Sequence, residues 1–169
     1  MTAVGQVKRA VAAAIKAAGC AAIESYSEEQ LKRYATAVAA VGTKETVIEE
    51  SGAVQYMGEK VDEATQETVS VYGRKMLLTL LIEVYAPRTL GAAGCEKAAE
   101  VVTQTLVTAL PEGLKLGSLQ WGKTGWDKTT GMFRLDASAK YAAYFVAEAA
   151  EDETVFTDFV LKGTVKERE

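Results

Sequence analysis

Histidine is absent from the 169 residues. That absence removes serine–histidine–aspartate triads, cysteine–histidine dyads and histidine-based zinc sites together. Cysteine is scarce as well, and Cys20 and Cys95 stand far apart. With no base to activate them and no secretory signal, they read as reduced, buried, small apolar groups. Long apolar runs are missing too. The longest, Met76 to Ile82, is broken by Thr79 and falls far short of the roughly 20 residues that a membrane helix needs. Lys8, Arg9 and Lys16 punctuate the first residues, so no signal-peptide core forms there and a cytosolic protein is expected. Positive charge is not concentrated anywhere. The formal net charge is −4, and Lys162, Lys166 and Arg168 share their tail with Glu167 and Glu169. Nucleic acid as the main partner is argued against.

What the chain does have is alternation. From Met132 to Ala147, apolar Phe133, Leu135, Ala137, Ala139, Tyr141, Ala143, Phe145 and Ala147 alternate with Arg134, Asp136, Ser138 and Lys140. Period two is the signature of a half-buried strand, and this one would run to roughly 50 Å. From Ala142 onward the outer face also turns apolar, through Tyr144 and Val146. Something must cover that end, and a partner subunit is a reasonable candidate. Thr68 to Ala86 is a second long strand signal. Tyr72, Met76, Leu78, Leu80, Ile82 and Val84 share one face, with Leu77 and Leu81 on the other. Apolar residues on both faces predict a central strand covered on both sides, by a helix on one and by another sheet or another subunit on the other.

Two helices complete the pattern. Val4, Val7, Val11, Ile15 and Ala18 recur at helical spacing between Thr2 and Gly19, giving an N-terminal helix over about 2–18. Leu90 to Leu110 repeats the period through Cys95, Ala98, Ala99, Val102 and Leu106, and stops at Pro111 and Gly113. Gly91 and Gly94 at its start lack the lysine and spacing of a phosphate-binding loop. Ala21 to Tyr26 reads as extended, and Ser27-Glu28-Glu29-Gln30 fits a capping box opening a short turn. Tyr34–Val41 and Thr43–Glu50 read as one bent strand or two. Residues 51–67 form an acidic mobile loop or hairpin excursion. Its Glu59, Asp62, Glu63 and Glu67 match no calcium-loop spacing. Strands are expected at Leu114–Gly122 and Thr154–Val165, with a glycine-flanked loop around Trp126 and a frayed end at 166–169. The expectation is a single α+β domain over 1–169. Two main helices pack on one face of a mostly antiparallel, long-stranded sheet, in the order α-β-β-β-α-β-β-β.

Several phrases in this order carry a resemblance. Tyr72-Gly73-Arg74-Lys75 leads into Leu77, Thr79 and Leu80, and Glu83-Val84-Tyr85-Ala86-Pro87-Arg88 follows. Gly91-Ala92-Ala93-Gly94-Cys95 then opens a helix. Trp126-Asp127, Thr130-Gly131-Met132-Phe133-Arg134-Leu135 and Asp158-Phe159 with Leu161-Lys162-Gly163 complete the set. Together they resemble small tail-terminator or tail-completion proteins in phages and prophages of Gram-positive bacteria. The resemblance implies a structural protein, not an enzyme, with no catalytic residues, cofactor or metal. It implies a homo-oligomeric ring, commonly a hexamer, that caps the tail tube and meets the head connector. Its place would be the host cytoplasm and then the virion tail or neck. The interface candidates are Tyr56 and Met57, Trp126 and Asp127 in their loop, and Tyr144 and Val146 on the long strand. Two alternatives stay open. One is an adaptor that binds a peptide at a sheet edge. The other is a small ligand-binding or enzymatic domain using Asp127 with Lys123, or Arg74 with Glu83.

Overall fold

The computed structural model describes residues 3–50, 56–61, 63–110 and 113–149. Within them the chain is α+β, with three helices and a seven-stranded, mostly antiparallel mixed sheet. Helix α1 (Ala3–Ala17) leads into β1 (Ala21–Ile23) and the single turn α2 (Glu28–Leu31). Strands β2 (Val38–Glu50), β3 (Tyr56–Val61) and β4 (Thr68–Ala86) follow, then α3 (Gly91–Thr108). Strands β5 (Lys115–Trp121), β6 (Gly125–Asp127) and β7 (Met132–Ala149) end the described chain. The order across the sheet is β1-β2-β4-β7-β5, with β3 also on β4 and β6 also on β7. Among these described pairs, only β1–β2 is parallel.

The spine is β4 against β7, paired without interruption from Ser70 opposite Ala149 to Ala86 opposite Phe133. Its apolar alternation selects the buried face. Met76, Leu78, Leu80, Ile82 and Val84 join Leu135, Ala137, Ala139 and Tyr141 under Val7, Val11 and Ile15 of α1 and Cys95, Val102 and Leu106 of α3. A smaller cluster on the other face gathers Ile23, Leu31, Val38, Ala40, Tyr85 and Met132 beneath α2. Ser27 caps that turn by accepting from the Gln30 backbone N–H.

Three findings refine the sequence expectations, the first in favour of the hairpin reading of residues 51–67. Within residues 51–67, Tyr56–Val61 is a strand that pairs with Thr68–Tyr72. Gly58 makes this possible, because its φ of +131° at the register shift suits a residue without Cβ. The loop around Trp126 contains β6, paired to the start of β7. Most consequentially, among the described residues the second face of β4 is covered only in part, and no second sheet lies over it. Leu77 and Leu81 are only half-buried, whereas Met76, Leu78 and Leu80 are fully buried. The expected strand at Thr154–Val165 and the expected frayed end at 166–169 lie outside the described residues.

Helix α3 crosses the end of β4 at close range. A Cβ built on Gly94 would sit 2.6 Å from Leu90 Cβ and 3.2 Å from Ala86 Cβ. The glycine therefore serves first the tight entry into α3 at Leu90 and then the approach of the helix to Ala86 of β4. Alanine is the better helix former by about 1 kcal/mol, yet relieving such an overlap costs about 1–3 kcal/mol. Gly94→Ala is expected to lower the melting temperature. A rise would show that Leu90 and Ala86 give way to the added methyl at little cost.

Candidate functional site

Opposite α1 and α3 the sheet has a second face, which α2 covers at the Val38 and Tyr85 end. Its rows follow from the pairing register. Val38, Tyr85 and Arg134 lie side by side nearest α2, followed by Ala40, Glu83 and Asp136. Next come Gly42, Leu81, Ser138 and Gln120, then Glu45, Thr79, Lys140 and Ser118, then Val47, Leu77, Ala142 and Lys115. Lys44, extra at the bulge in β2, reaches across β4 near Leu81 and donates to the Ser138 hydroxyl at 3.4 Å.

At the α2 end this face holds a compact charge cluster. Arg134 grips Asp136 through Nε–Oδ1 at 2.6 Å and Nη2–Oδ2 at 2.8 Å, and reaches Glu83 Oε1 at 2.7 Å. Tyr85 donates its hydroxyl to the same Glu83 oxygen at 3.2 Å. The Arg134 guanidinium carbon lies 6.0 Å from the Tyr85 ring centroid, and Tyr26 stacks obliquely on that ring at 6.0 Å. Burial raises the Glu83 carboxyl above its ordinary range, and Asp136 adds to this; Arg134 and the Tyr85 hydrogen bond pull it back. Burial also raises the Tyr85 hydroxyl. Both carboxylates are thus taken up by one guanidinium. Glu83 is matched with Arg134, not with Arg74 as the enzymatic alternative required; Arg74 lies opposite Glu50, many residues along the strand.

The other sequence candidates scatter. Asp127 accepts from the Thr129 backbone N–H at 3.1 Å and from the Thr130 hydroxyl at 2.7 Å. The Thr130 hydroxyl holds its carboxyl below the usual range. It is turn chemistry that positions the start of β7, and its bonds go to these threonines instead of Lys123. Trp126 is 46% exposed and meets Phe133 edge-to-face at 5.0 Å. Tyr56 is equally exposed and meets Tyr72 edge-to-face at 5.8 Å. Met57, Tyr144 and Val146 lie in strands β3 and β7, but their side chains fall outside the described part of the structure. Tyr56 and Trp126 belong to opposite margins of the sheet, so the candidates form no single patch.

Both cysteines are buried and unpaired. The Cys95 thiol donates to the Phe133 carbonyl at 3.2 Å, and burial pushes its pKa up to about 11. A thiol so protonated is a poor nucleophile at neutral pH. Among the described residues, no group of three or more cysteines and carboxylates is arranged to hold a metal ion. No helix among them is long and apolar enough to cross a membrane.

Sequence reading missed the edges. Strands β2, β3 and β5 each carry a register shift, at Thr43/Glu45, Tyr56/Gly58 and Leu116/Ser118. The β4–β7 spine has none. Bulges and edge charges obstruct pairing with another strand. No protein-family model matches the chain, and no curated protein matches it.

Proposed function

We propose that the protein is a structural subunit of a phage or prophage tail end. In this reading it is a tail-terminator or tail-completion protein that associates with itself as a ring, caps the tail tube and meets the head connector. The observation that carries it is the spine. Strand β4 has 19 residues, about 60 Å at strand rise. A compact domain of this length has a radius of gyration of only about 15 Å, or roughly 40 Å across. Of residues 68–75 only Gly73 is buried, so this half of β4 lies beyond the helix-covered core, with exposed Tyr56 and Val61 beside it on β3. A long, sparsely covered sheet fits a protein completed by neighbours. The bulged edges count against the peptide-adaptor alternative, and the Glu83–Arg134–Asp136 cluster, whose two carboxylates are both held by one guanidinium, counts against the enzymatic one.

The test is addition of the purified protein to tail-tube protein from the same genome while tubes are growing. Protein bound at tube ends with elongation arrested is expected; unimpeded growth with no bound protein contradicts the reading. Trp126→Ala refines it. Loss of an edge-to-face pair costs about 0.5–1.5 kcal/mol, a few degrees of melting temperature in a chain of this size. Tube binding is expected to weaken with the fold intact. A large melting loss with unchanged binding would instead assign Trp126 a purely internal role.

A further inference from the structure

We propose that the Lys115 end of strand β5 opens away from β7 as a local unit hinged at Trp121, and that the Tyr141 hydroxyl poises it to open. Tyr141 lies on the helix-covered face of β7, level with Leu78 of β4 on one side and Leu116 of β5 on the other. The residue is 2% exposed. Among the described residues, its hydroxyl is the one buried side-chain polar atom with no hydrogen-bond partner. The core cluster it joins is apolar, with Met76, Leu78 and Leu106 buried in it and Leu114 and Leu116 packed against it. Burial alone raises the pKa of the hydroxyl. A phenol hydroxyl kept dry without a partner opposes its own burial, because water would satisfy it.

Water reaches the hydroxyl most directly from the β5 side. Leu78 belongs to β4, which is flanked by β2 and β7 and paired to both over many residues. Among the described strands β5 pairs with β7 alone, and none of its residues is buried. The register shift between Leu116 and Ser118 splits its ladder. Beyond the shift only Lys115 and Leu116 are paired, opposite Ala142 and Tyr141. So short a ladder at the margin of a sheet is a weak hold. The other end of β5 is fastened twice. Trp121 Nε1–H donates to the Thr103 hydroxyl of α3 at 2.8 Å, and the Gly122 N–H donates to the Asp136 carbonyl at 2.7 Å. Opening therefore begins at Lys115 and stops near Trp121. Closing dries the Tyr141 hydroxyl and opening wets it, so the hydroxyl shifts the balance toward the open form.

The inference goes beyond the tail reading and does not rest on it. Native-state hydrogen exchange of the full chain tests it, read residue by residue at rising urea below the unfolding range. Wild-type exchange at Lys115–Ser118 is expected to be faster than at Leu78–Val84 and nearly independent of urea, the mark of local opening. Tyr141→Phe keeps the ring and removes the hydroxyl. It is expected to slow exchange at Lys115–Ser118 by on the order of tenfold, since the open form then gains nothing from wetting a hydroxyl. Trp121→Phe removes the bond to Thr103. It is expected to spread the fast, urea-independent exchange through Leu119–Trp121 and to leave Leu78–Val84 unchanged.

Exchange at Lys115–Ser118 that tracks Leu78–Val84 at every urea concentration overturns the proposal, because this end then opens only with the whole fold. Unchanged exchange in Tyr141→Phe overturns it too, since opening then does not wet the hydroxyl. Faster exchange in Tyr141→Phe would show that the hydroxyl is bonded in the closed form, which equally overturns it. Trp121→Phe that speeds Leu78–Val84 as much as β5 would contradict the hinge.

Discussion

Replacing Arg134 with methionine is expected to destabilise the protein by about 2–4 kcal/mol at neutral pH. Removing one partner of a buried ion pair costs about 3–5 kcal/mol, because the remaining charge is left without compensation. The Arg134 side chain is 37% exposed, which trims that figure, while the Glu83 side chain is only 10% exposed. Methionine keeps much of the stem volume, so the loss reports charge and not a cavity. The pH dependence carries the sign. Burial raises the folded-state pKa of Glu83, so the folded protein binds a proton at Glu83 more tightly than the unfolded chain does. The contribution of Glu83 to stability is therefore greatest below its unfolded value and is lost as pH rises through the folded one. Without Arg134, the group that most opposes the rise, the folded value climbs further and the window widens upward. Denaturant melts of Arg134→Met are expected to recover stability as pH falls from neutral toward the carboxylate range. Glu83→Gln in the same background is expected to flatten that recovery. A pH-independent loss would mean that Glu83 is not the charge left behind.

The second large effect separates the two faces of β4. Leu80→Ala removes a fully buried side chain between α1, α3 and the sheet, and is expected to cost about 2–5 kcal/mol. Leu77→Ala, three residues away on the half-buried face, removes the same atoms and is expected to cost under half as much in the monomer. Chemical denaturation of the dilute protein measures both. Equal losses would show that Leu77 is already covered within one chain.

This contrast also marks where the sequence stops being legible. Alternation in Thr68–Ala86 and Met132–Ala147 identifies both spine strands, because a period of two sustained over so many residues fits a strand and little else. It does not say whether Leu77 and Leu81 are covered, since an apolar side chain announces a preference and not its neighbour. Helical spacing places α1 and α3 on the same kind of signal, and Ser27 with Gln30 marks α2. Strand β3 is hard to see, being short, polar and bent at Gly58. The charge cluster is invisible for a different reason. Arg134 and Glu83 are joined only by the β4–β7 register, which no local pattern specifies. From sequence, Arg74 is an equally suitable partner. Asp127 is legible as turn chemistry, since aspartate ahead of Thr129 and Thr130 commonly closes such a turn. The bulges on β2, β3 and β5 leave little trace in composition, yet they obstruct pairing at the edges of the sheet.

Whether one copy of the chain joins another, as the ring reading requires, is decided by sedimentation velocity of the wild-type protein, run from dilute to concentrated solution. A discrete species heavier than the monomer is expected, growing with concentration and dissociating on dilution. A single monomeric boundary at every concentration would contradict self-association.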